Sequence, residues 1–344
     1  METIIKKIQR DNIDQETIKE AASLLKEGKL VAFPTETVYG LGANGLNPKA
    51  CENIFKTKNR PADNPLILHI SNIGMLYNLV SGVNEDAKKL FDLWPGPLTI
   101  IFKKSKLIPD VVTAGGDTVA IRFPKDEIAR RLIEEANLPI AAPSANISGR
   151  PSPTKASDVY YDLNGKIPMI LDGGESQIGI ESTVIDLSSE IPTILRPGFY
   201  TYEYIKEILA NLKLDDALID DNKIPKSPGQ KYKHYAPKAK MKIFVGNKAF
   251  DTIYQQAKAY EEKGLKVGIL TFDDRINEVS KAYAISLGQR DDLRQMSHML
   301  FSALRKMDRM KVDIILAEGV SEKNLGKSIM NRMKKSASGN VEYL

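Results

Sequence analysis

The chain has 344 residues, more than one hydrophobic core usually serves, so we expect two domains. Hydrophobic residues make up 42% and charged residues 27%, which excludes a fibrous or low-complexity chain. The net charge of +5 is too small to indicate nucleic-acid binding by itself.

Cysteine usage limits the kinds of site further. Cys51 is the single cysteine, so the chain can form no intrachain disulfide, and only three histidines accompany it. A zinc site built from thiolates and imidazoles is therefore not expected. The first ten residues do not have the pattern of a signal peptide, and no segment has the length and apolarity of a membrane span. We expect a cytoplasmic protein without membrane association.

The first predicted elements are a helix and a strand. Asp14 is a favourable N-cap, the apolar residues after it recur at helical spacing, and Gly28 is placed to end the helix. The apolar run 30–33 predicts a strand, which Pro34 stops. The loop 34–40 therefore lies at a strand end, where ligands bind in open α/β sheets.

Further apolar runs predict strands, and two amphipathic patterns predict helices between them. The strands are expected at 66–70, 98–102, 119–123, 140–142, 169–171 and 184–187, and the helices at 49–55 and 126–136. Because several strands follow one another too closely for a helical crossover, we expect a mixed sheet. This first domain is expected to span residues 1–212.

The next segment, 213–238, is polar and contains proline, which is typical of a linker. Its second half combines aromatic and cationic residues, which is unusual for a spacer. Beyond it a βαβ rhythm begins. Strands are expected at 241–245, 267–271, 283–287 and 312–317, with helices between them such as 249–262. This pattern predicts a second domain, 239–344, with a small parallel sheet, although neither common nucleotide-binding fingerprint is present in it.

Polar residues cluster on two turns. Lys58 and Arg60 precede a proline-rich turn; a solvated basic helix end would explain them, but cations in a loop also bind phosphate or carboxylate groups. As loop cations they are expected to contribute little to stability. Ser144 and Asn146 are equally compatible with ordinary turn chemistry, but the polar stretch continues through Ser152. Together these residues indicate an anion site, with a nucleotide as the first hypothesis.

Arg122 interrupts the apolar strand 119–123. Such a cation lies either on a solvated face or beside a buried anion, and a substrate carboxylate is a reasonable partner. An edge-strand position is the alternative. The chain has no G-x-S-x-G motif and few histidines, so no hydrolase template fits. The pattern favours positioning and charge stabilisation, as in transfer at phosphorus.

Five segments together resemble the YrdC family. They are 34–40, Lys58-x-Arg60, 94–99, 142–149 and 181–184. The linker 227–237 and the βαβ tail are similar to the long, two-domain form of the family, so the resemblance covers nearly the whole chain. It implies an α/β fold, with a YrdC-like twisted mixed sheet flanked by helices and a smaller C-terminal Rossmann-like parallel α/β domain.

The resemblance also implies a reaction. L-threonine, bicarbonate and ATP, with Mg²⁺, would give threonylcarbamoyl-AMP and pyrophosphate in a nucleotidyl transfer. The product would pass to a transferase that modifies the adenosine next to the anticodon of tRNA, and weak direct contact with tRNA is left open.

The same resemblance assigns roles to individual residues. ATP binding is assigned to Lys58, Arg60, Asn64, Thr118, Ser144, Asn146, Ser152, Arg196 and Tyr232, of which Lys58, Arg60, Ser144 and Asn146 would be catalytic. L-threonine binding is assigned to Thr37, His69, Arg122, Ala142 and Ser182, and the metal ligands are left unknown. The linker 213–238 would form a flap over the active site.

The chain departs from the family pattern at two places, and two other functions stay open. Asn59 stands where glycine is common, but asparagine tolerates a left-handed backbone. Gln230 and Lys233 alter the linker. The leading alternative is an RNA-binding module without catalysis, whose affinity would fall steeply with salt and need no threonine. The other is a carbamoyl-transfer module of hydrogenase maturation, which normally carries further domains that are not recognisable here.

Overall fold

The computed structural model describes residues 2–218, 234–279 and 283–344. These residues divide into two compact units. Of the described residues, the first unit holds 2–148, 152–177 and 181–218, and the second holds 149–151, 178–180, 234–279 and 283–344. The expected flap residues Gln230, Tyr232 and Lys233 lie outside the described residues. No helix in the described part of the chain is long and apolar enough to span a membrane.

The first unit contains a mixed sheet with helices. Its strands are β1 Ile4–Lys7, β2 Val31–Phe33, β3 Gly40–Asn44, β4 Ile67–His69, β5 Leu98–Lys103, β6 Thr118–Arg122, β7 Ile140–Ala141, β8 Met169–Asp172, β9 Thr183–Asp186, β10 Thr193–Arg196 and β11 Lys213–Leu214. Its helices are α1 Gln15–Lys26, α2 Pro48–Lys58, α3 Ile73–Leu79, α4 Glu85–Lys89, α5 Asp110–Thr113, α6 Glu127–Ala136, α7 Ala156–Leu163 and α8 Tyr202–Ile208, with short 3₁₀ helices at Phe91–Leu93 and Asp216–Leu218. Both parallel and antiparallel pairs occur along the order β1-β8-β2-β3-β7-β4-β6-β5-β9-β10-β11, so the predicted mixed sheet is confirmed.

The second unit contains a parallel sheet. Its strands are β12 Lys240–Val245, β13 Val267–Thr271, β14 Ala284–Ser286, β15 Ile314–Glu318 and β16 Val341–Tyr343. Its helices are α9 Ala249–Glu261, α10 Leu293–Met310 and α11 Leu325–Ser336, with a short 3₁₀ helix at Ile276–Glu278. The strands pair in parallel in the order β14-β13-β15-β12-β16, which confirms the predicted parallel α/β architecture of this part of the chain.

Helix α1 forms where its capping residue predicts. The Asp14 side chain accepts a hydrogen bond from the backbone N–H of Glu16 at 3.1 Å and so satisfies a donor that the first turn leaves open. The apolar face buries Ile18 and Leu25 in a cluster with Ile128 of α6. Burying side chains of this size stabilises the packing by roughly 1.5–3 kcal/mol each.

The central strands β4, β5 and β6 place polar side chains on one face of the sheet. Successive residues of a strand point to opposite faces. Ile100 and Ile121 belong to the main hydrophobic core, so the adjacent residues Thr99 and Arg122 point to the other face. His69 is the register partner of Arg122 and shares that face. The pleat of the sheet therefore brings these three polar residues together.

Gly198 lets the turn after β10 approach the beginning of β9. A β-carbon at Gly198 would lie 2.3 Å from the backbone nitrogen of Thr183 and 2.6 Å from the carbonyl carbon of Ser182. We expect Gly198→Ala to lower the free energy of unfolding by about 1–3 kcal/mol, because backbone must shift to admit the methyl group. Urea denaturation measures the change. Gly82→Ala is the matched control, since a β-carbon there meets nothing within 4 Å; equal losses in both variants would contradict the steric explanation.

Candidate active site

The loop between β2 and β3 carries an ion pair to β6. The Arg122 NH2 atom lies 2.7 Å from Glu36 Oε1, and both side chains are buried. Arg122 NH1 also donates a hydrogen bond to Thr37 Oγ1 at 2.9 Å. Of the two predicted explanations for Arg122, the buried anion is therefore correct, and an anion supplied by the chain itself lies beside it. The structure brings the predicted residues Thr37 and Arg122 into direct contact.

His69 ends β4 beside Arg122. Its ring is buried and meets the Phe33 ring edge-on, with 6.3 Å between centroids, and its Nδ1 lies 3.3 Å from the Ile67 carbonyl oxygen. Burial, reinforced by the Arg122 charge, lowers the pKa of His69 from 6.5 to about 3. The imidazole is therefore neutral near pH 7 and offers hydrogen bonding without adding charge to the site.

The lowered pKa of His69 predicts a pH dependence of stability. Between the folded value of about 3 and the ordinary value of 6.5, the unfolded chain binds a proton that the folded chain does not. The contribution of His69 therefore lowers the free energy of unfolding as the pH falls below about 6.5, by up to about 1.4 kcal/mol per pH unit. We measure the free energy of unfolding by urea denaturation near pH 7 and near pH 5. Between these two pH values it is expected to fall less for His69→Gln than for the unchanged chain. Identical losses would contradict the assignment of a neutral, buried imidazole.

Ser182 links two of the predicted residue sets. Its hydroxyl lies 2.7 Å from Thr99 Oγ1, and Thr99 is the register partner of Arg122. Arg196 donates from NH2 to Ser182 Oγ and from Nε to the Ser182 carbonyl oxygen, both at 3.0 Å. Ser182, assigned to threonine, and Arg196, assigned to ATP, are thus direct neighbours.

Lys58 anchors the loop that carries Ser144 and Asn146. Its Nζ donates to the carbonyl oxygens of Ser144 and Asn146 and lies 3.5 Å from Asn146 Oδ1. Ser144 Oγ donates to the same Oδ1 at 2.5 Å. Lys58 is the last residue of α2 and only 1% exposed, so the expectation that it is a loop cation is wrong. Buried ammonium groups are stabilised only when they are hydrogen-bonded, and here the partners are carbonyls of the site loop.

Asn59 ends α2 in the left-handed conformation, with φ 50°, as expected of an asparagine in place of glycine. The turn directs Arg60 back onto its own loop, where NH2 donates to the carbonyl oxygens of Asn64 at 3.2 Å and Pro65 at 3.0 Å. The Asn64 side chain is buried, and its Oδ1 has no hydrogen-bond partner among the described residues. The loop therefore presents an unsatisfied amide acceptor close to a half-buried guanidinium group.

Three further predicted residues, one on a strand and two in loops of the first unit, make separate contacts. The Ser152 hydroxyl donates to Glu181 Oε1 at 2.6 Å, directly before Ser182 in the chain. The Ala142 backbone N–H donates to the Ile67 carbonyl oxygen at 2.9 Å, which places Ala142 beside β4. Thr118 begins β6, four residues and therefore about 13 Å from Arg122 on the same face of the strand. Tyr232 lies outside the described residues.

A strip of apolar side chains separates Thr118 from Arg122. Ala120 lies between them on β6, and its register partners are Ile67 on β4 and Ile101 on β5. These three form a small cluster with Val184 and Leu195. Polar groups at the two ends and apolar groups in the middle suit a ligand with an apolar ring and charged or polar termini.

Sequence reasoning missed Glu36, Thr99 and Glu181 as site residues. Glu36 lies in the loop 34–40, and a carboxylate between two threonines at a strand end was an available signal. Thr99 could not be identified without the register of β5 against β6. Glu181 was visible only as part of the segment 181–184 that carries the family resemblance, and its contact with Ser152 was not. No group of three or more histidine, cysteine, aspartate or glutamate side chains in the described ranges could hold a metal ion.

Comparison with known proteins covers both units. The family model of the Sua5, YciO and YrdC proteins, described as "Telomere recombination", matches residues 23–198. A second model, described as the C-terminal domain of threonylcarbamoyl-AMP synthase, matches residues 200–338.

Full-length relatives give the same result. The protein named threonylcarbamoyl-AMP synthase in Pyrococcus abyssi is 47% identical over 95% of this chain and 96% of its own. Its counterpart of the same name in Bacillus subtilis is also 47% identical and covers 94% of each chain. The crystal structure of P. abyssi Sua5 complexed with L-threonine superimposes with a TM-score of 0.94 at 45% identity, over 99% of each chain.

Proposed function

The chain belongs to the Sua5, YciO and YrdC family, in its two-domain form, and from this we propose that it catalyses the synthesis of threonylcarbamoyl-AMP. The observation that carries the proposal is the match, over nearly the full length of both chains, to two relatives that bear the name of this activity. The enzyme is a nucleotidyltransferase that uses ATP and L-threonine.

L-threonine is proposed to bind at Arg122 and its neighbours. The Nε atom of Arg122 makes no hydrogen bond to the described residues, and NH2, which contacts Glu36, carries a second N–H group. Together they offer a carboxylate two donors on one edge of the guanidinium. Thr37, His69 and Ser182 surround it with hydroxyl and neutral imidazole groups, and Ala142 lines β4. Bicarbonate is proposed to react with the amino group held there.

ATP is proposed to bind along the same face of the sheet. The carbamate formed from threonine and the α-phosphate it attacks are both anionic, so fixed cations are needed to reduce their repulsion and to stabilise the departing pyrophosphate. Arg60 and Arg196 are proposed to supply this charge, and Lys58 to hold Ser144 and Asn146 in place. Asn64, Thr118 and Ser152 are proposed to add polar contacts, and the apolar strip to pack against the nucleoside. Mg²⁺ is proposed to enter on the ATP phosphates, as part of the substrate.

The remaining assignments are proposals that follow from this activity. We propose a domain organisation of 1–212, 213–238 and 239–344. Contact of Tyr232, in the middle segment, with the nucleotide also stays a proposal, because Tyr232 lies outside the described residues. The product is proposed to pass to a transferase acting on tRNA, with weak tRNA contact by this chain. A cytoplasmic location is proposed because tRNA is modified there.

Pyrophosphate release tests the proposed function. The full chain is incubated with ATP and Mg²⁺, and L-threonine and bicarbonate are added singly and together. Release that needs both co-substrates is the expected result. Release from ATP alone, or none in folded protein, would contradict the proposal. RNA binding that falls steeply with salt and ignores threonine would then favour the RNA-binding alternative.

A further inference from the structure

Glu36 is a buried carboxylate in the segment 34–40, and none of the residue assignments above gives it a role. It lies in the loop between β2 and β3, and its side chain is 4% exposed, against 6% for its ion-pair partner Arg122. An isolated carboxylate in such a position is unfavourable, and the 2.7 Å contact with Arg122 NH2 offsets part of that cost.

The pair leaves much of its hydrogen-bonding capacity unused. Within the part of the chain that the structure describes, Oε2 of Glu36 and Nε of Arg122 have no hydrogen-bond partner, while Oε1 of Glu36 and NH2 of Arg122 face each other in the ion pair. The NH1 atom of Arg122 is occupied by Thr37. Buried polar atoms in folded proteins are nearly always hydrogen-bonded, so an open acceptor on Glu36 beside an open donor on Arg122 indicates a ligand that completes both.

The arrangement of charges specifies the ligand. The negatively charged carboxylate of Glu36, a hydrogen-bond acceptor, lies directly beside the positively charged guanidinium of Arg122, a hydrogen-bond donor. An α-amino acid carries an ammonium group and a carboxylate group on the same carbon atom, and these two groups complement the pair in one binding step. We propose that Glu36 binds the α-ammonium group of the amino-acid substrate while Arg122 binds its α-carboxylate.

This inference rests on the proposed function and adds a recognition residue to it. Glu36 would select an amino acid against the corresponding hydroxy acid. A purely structural role, in which Glu36 only orients Arg122, makes a different prediction. The loss of Glu36 would then weaken every ligand that has the carboxylate, whether or not it has an ammonium group.

The test compares two ligands on two proteins by isothermal titration calorimetry. The ligands are L-threonine and the 2,3-dihydroxybutanoic acid of matching stereochemistry, which replaces the ammonium group by a hydroxyl. The unchanged chain is expected to bind threonine at least about 10-fold more tightly, and Glu36→Gln is expected to reduce this ratio about 10-fold, since hydrogen bonds to charged groups are the strong ones. Glu134→Gln, on the exposed face of α6, is the matched control and is expected to keep the ratio.

Several outcomes would overturn the inference. If Glu36→Gln weakens both ligands by the same factor, Glu36 acts only through Arg122. If the unchanged chain binds both ligands equally tightly, the inference is contradicted. This comparison needs no variant, so it remains possible even if Glu36→Gln does not fold. Threonylcarbamoyl-AMP formation by the unchanged chain distinguishes failure of this inference from failure of the proposed function. If the product forms and Glu36→Gln leaves the ratio of the two affinities unaltered, only the role of Glu36 is contradicted. If the unchanged chain does not bind threonine, the proposed function is contradicted as well.

Discussion

Lys58→Met is expected to lower turnover by about 10²–10³-fold, the usual effect of removing one preorganised donor from an active site. Without the ammonium group, the carbonyl oxygens of Ser144 and Asn146 lose the donor that fixes their loop. The same loss leaves buried acceptors unsatisfied, which lowers the free energy of unfolding by roughly 1–3 kcal/mol. Turnover is measured as pyrophosphate release, well below the unfolding temperature of the variant.

The exposed face of α2 offers the control for this variant. Lys56 lies two residues earlier, and its side chain is 73% exposed, so Lys56→Met removes the same charge without touching the loop. We expect its turnover to be unchanged and its stability to shift by less than about 0.5 kcal/mol. Near-normal turnover of Lys58→Met would contradict the role given to the Lys58 contacts.

Arg122→Met is expected to lower kcat/KM for L-threonine by at least about 100-fold, because truncating one member of a buried charged pair removes several hydrogen bonds at once. It also leaves the Glu36 carboxylate buried without its cation. The free energy of unfolding should therefore fall by roughly 3–5 kcal/mol. Initial rates over a range of threonine concentrations, together with urea denaturation, measure both effects.

A double variant separates the two consequences. Arg122→Met with Glu36→Gln removes both charges, so much of the lost stability is expected to return, while threonine use stays impaired. Recovery of activity together with stability would show that Arg122 acts only through folding. That result would contradict its assignment to the substrate carboxylate.

The elements that sequence patterns predict best are those with a clear period or a capping residue. The helix after Asp14 and the strands that end at His69 and Arg122 lie where the apolar residues predicted them, and β2 ends before Pro34 as expected. β3 was missed because Gly40–Asn44 consists of small residues that are typical of a turn, and tertiary pairing with β2 makes it a strand. Short edge strands such as β11 carry too few residues for a period to be visible.

The sequence predicted which residue types make up the candidate site, but it predicted only some of the contacts between their side chains. The cations and hydroxyls were visible as polar interruptions of apolar runs, and the family resemblance assigned them to ligands. What no local pattern contains is which side chains meet across strands. The register that places His69 and Thr99 on either side of Arg122 depends on pairing between distant segments. The contact of Glu36 with Arg122 depends on a loop folding over that register, as does the approach of Lys58 to Asn146.

The position of the site follows from the sheet. β4 and β6 run parallel and end side by side, so their last residues, His69 and Arg122, converge at one edge together with the loop after β2. Loops at strand ends can carry charged residues that the core would exclude, and the strands fix those residues in place. This arrangement places a neutral imidazole and a buried guanidinium side by side at one edge of the sheet, which suits the proposed binding of two anionic reactants.

Mass spectrometry of the product formed from carbon-13-labelled bicarbonate is the most direct test of the proposed synthesis of threonylcarbamoyl-AMP. The full chain is given L-threonine, ATP, Mg²⁺ and the labelled bicarbonate. We expect threonylcarbamoyl-AMP that is about one mass unit heavier than the unlabelled product, with the label in the carbamoyl group and one pyrophosphate released per molecule. Pyrophosphate released without this product, or a folded chain that forms neither, would contradict it.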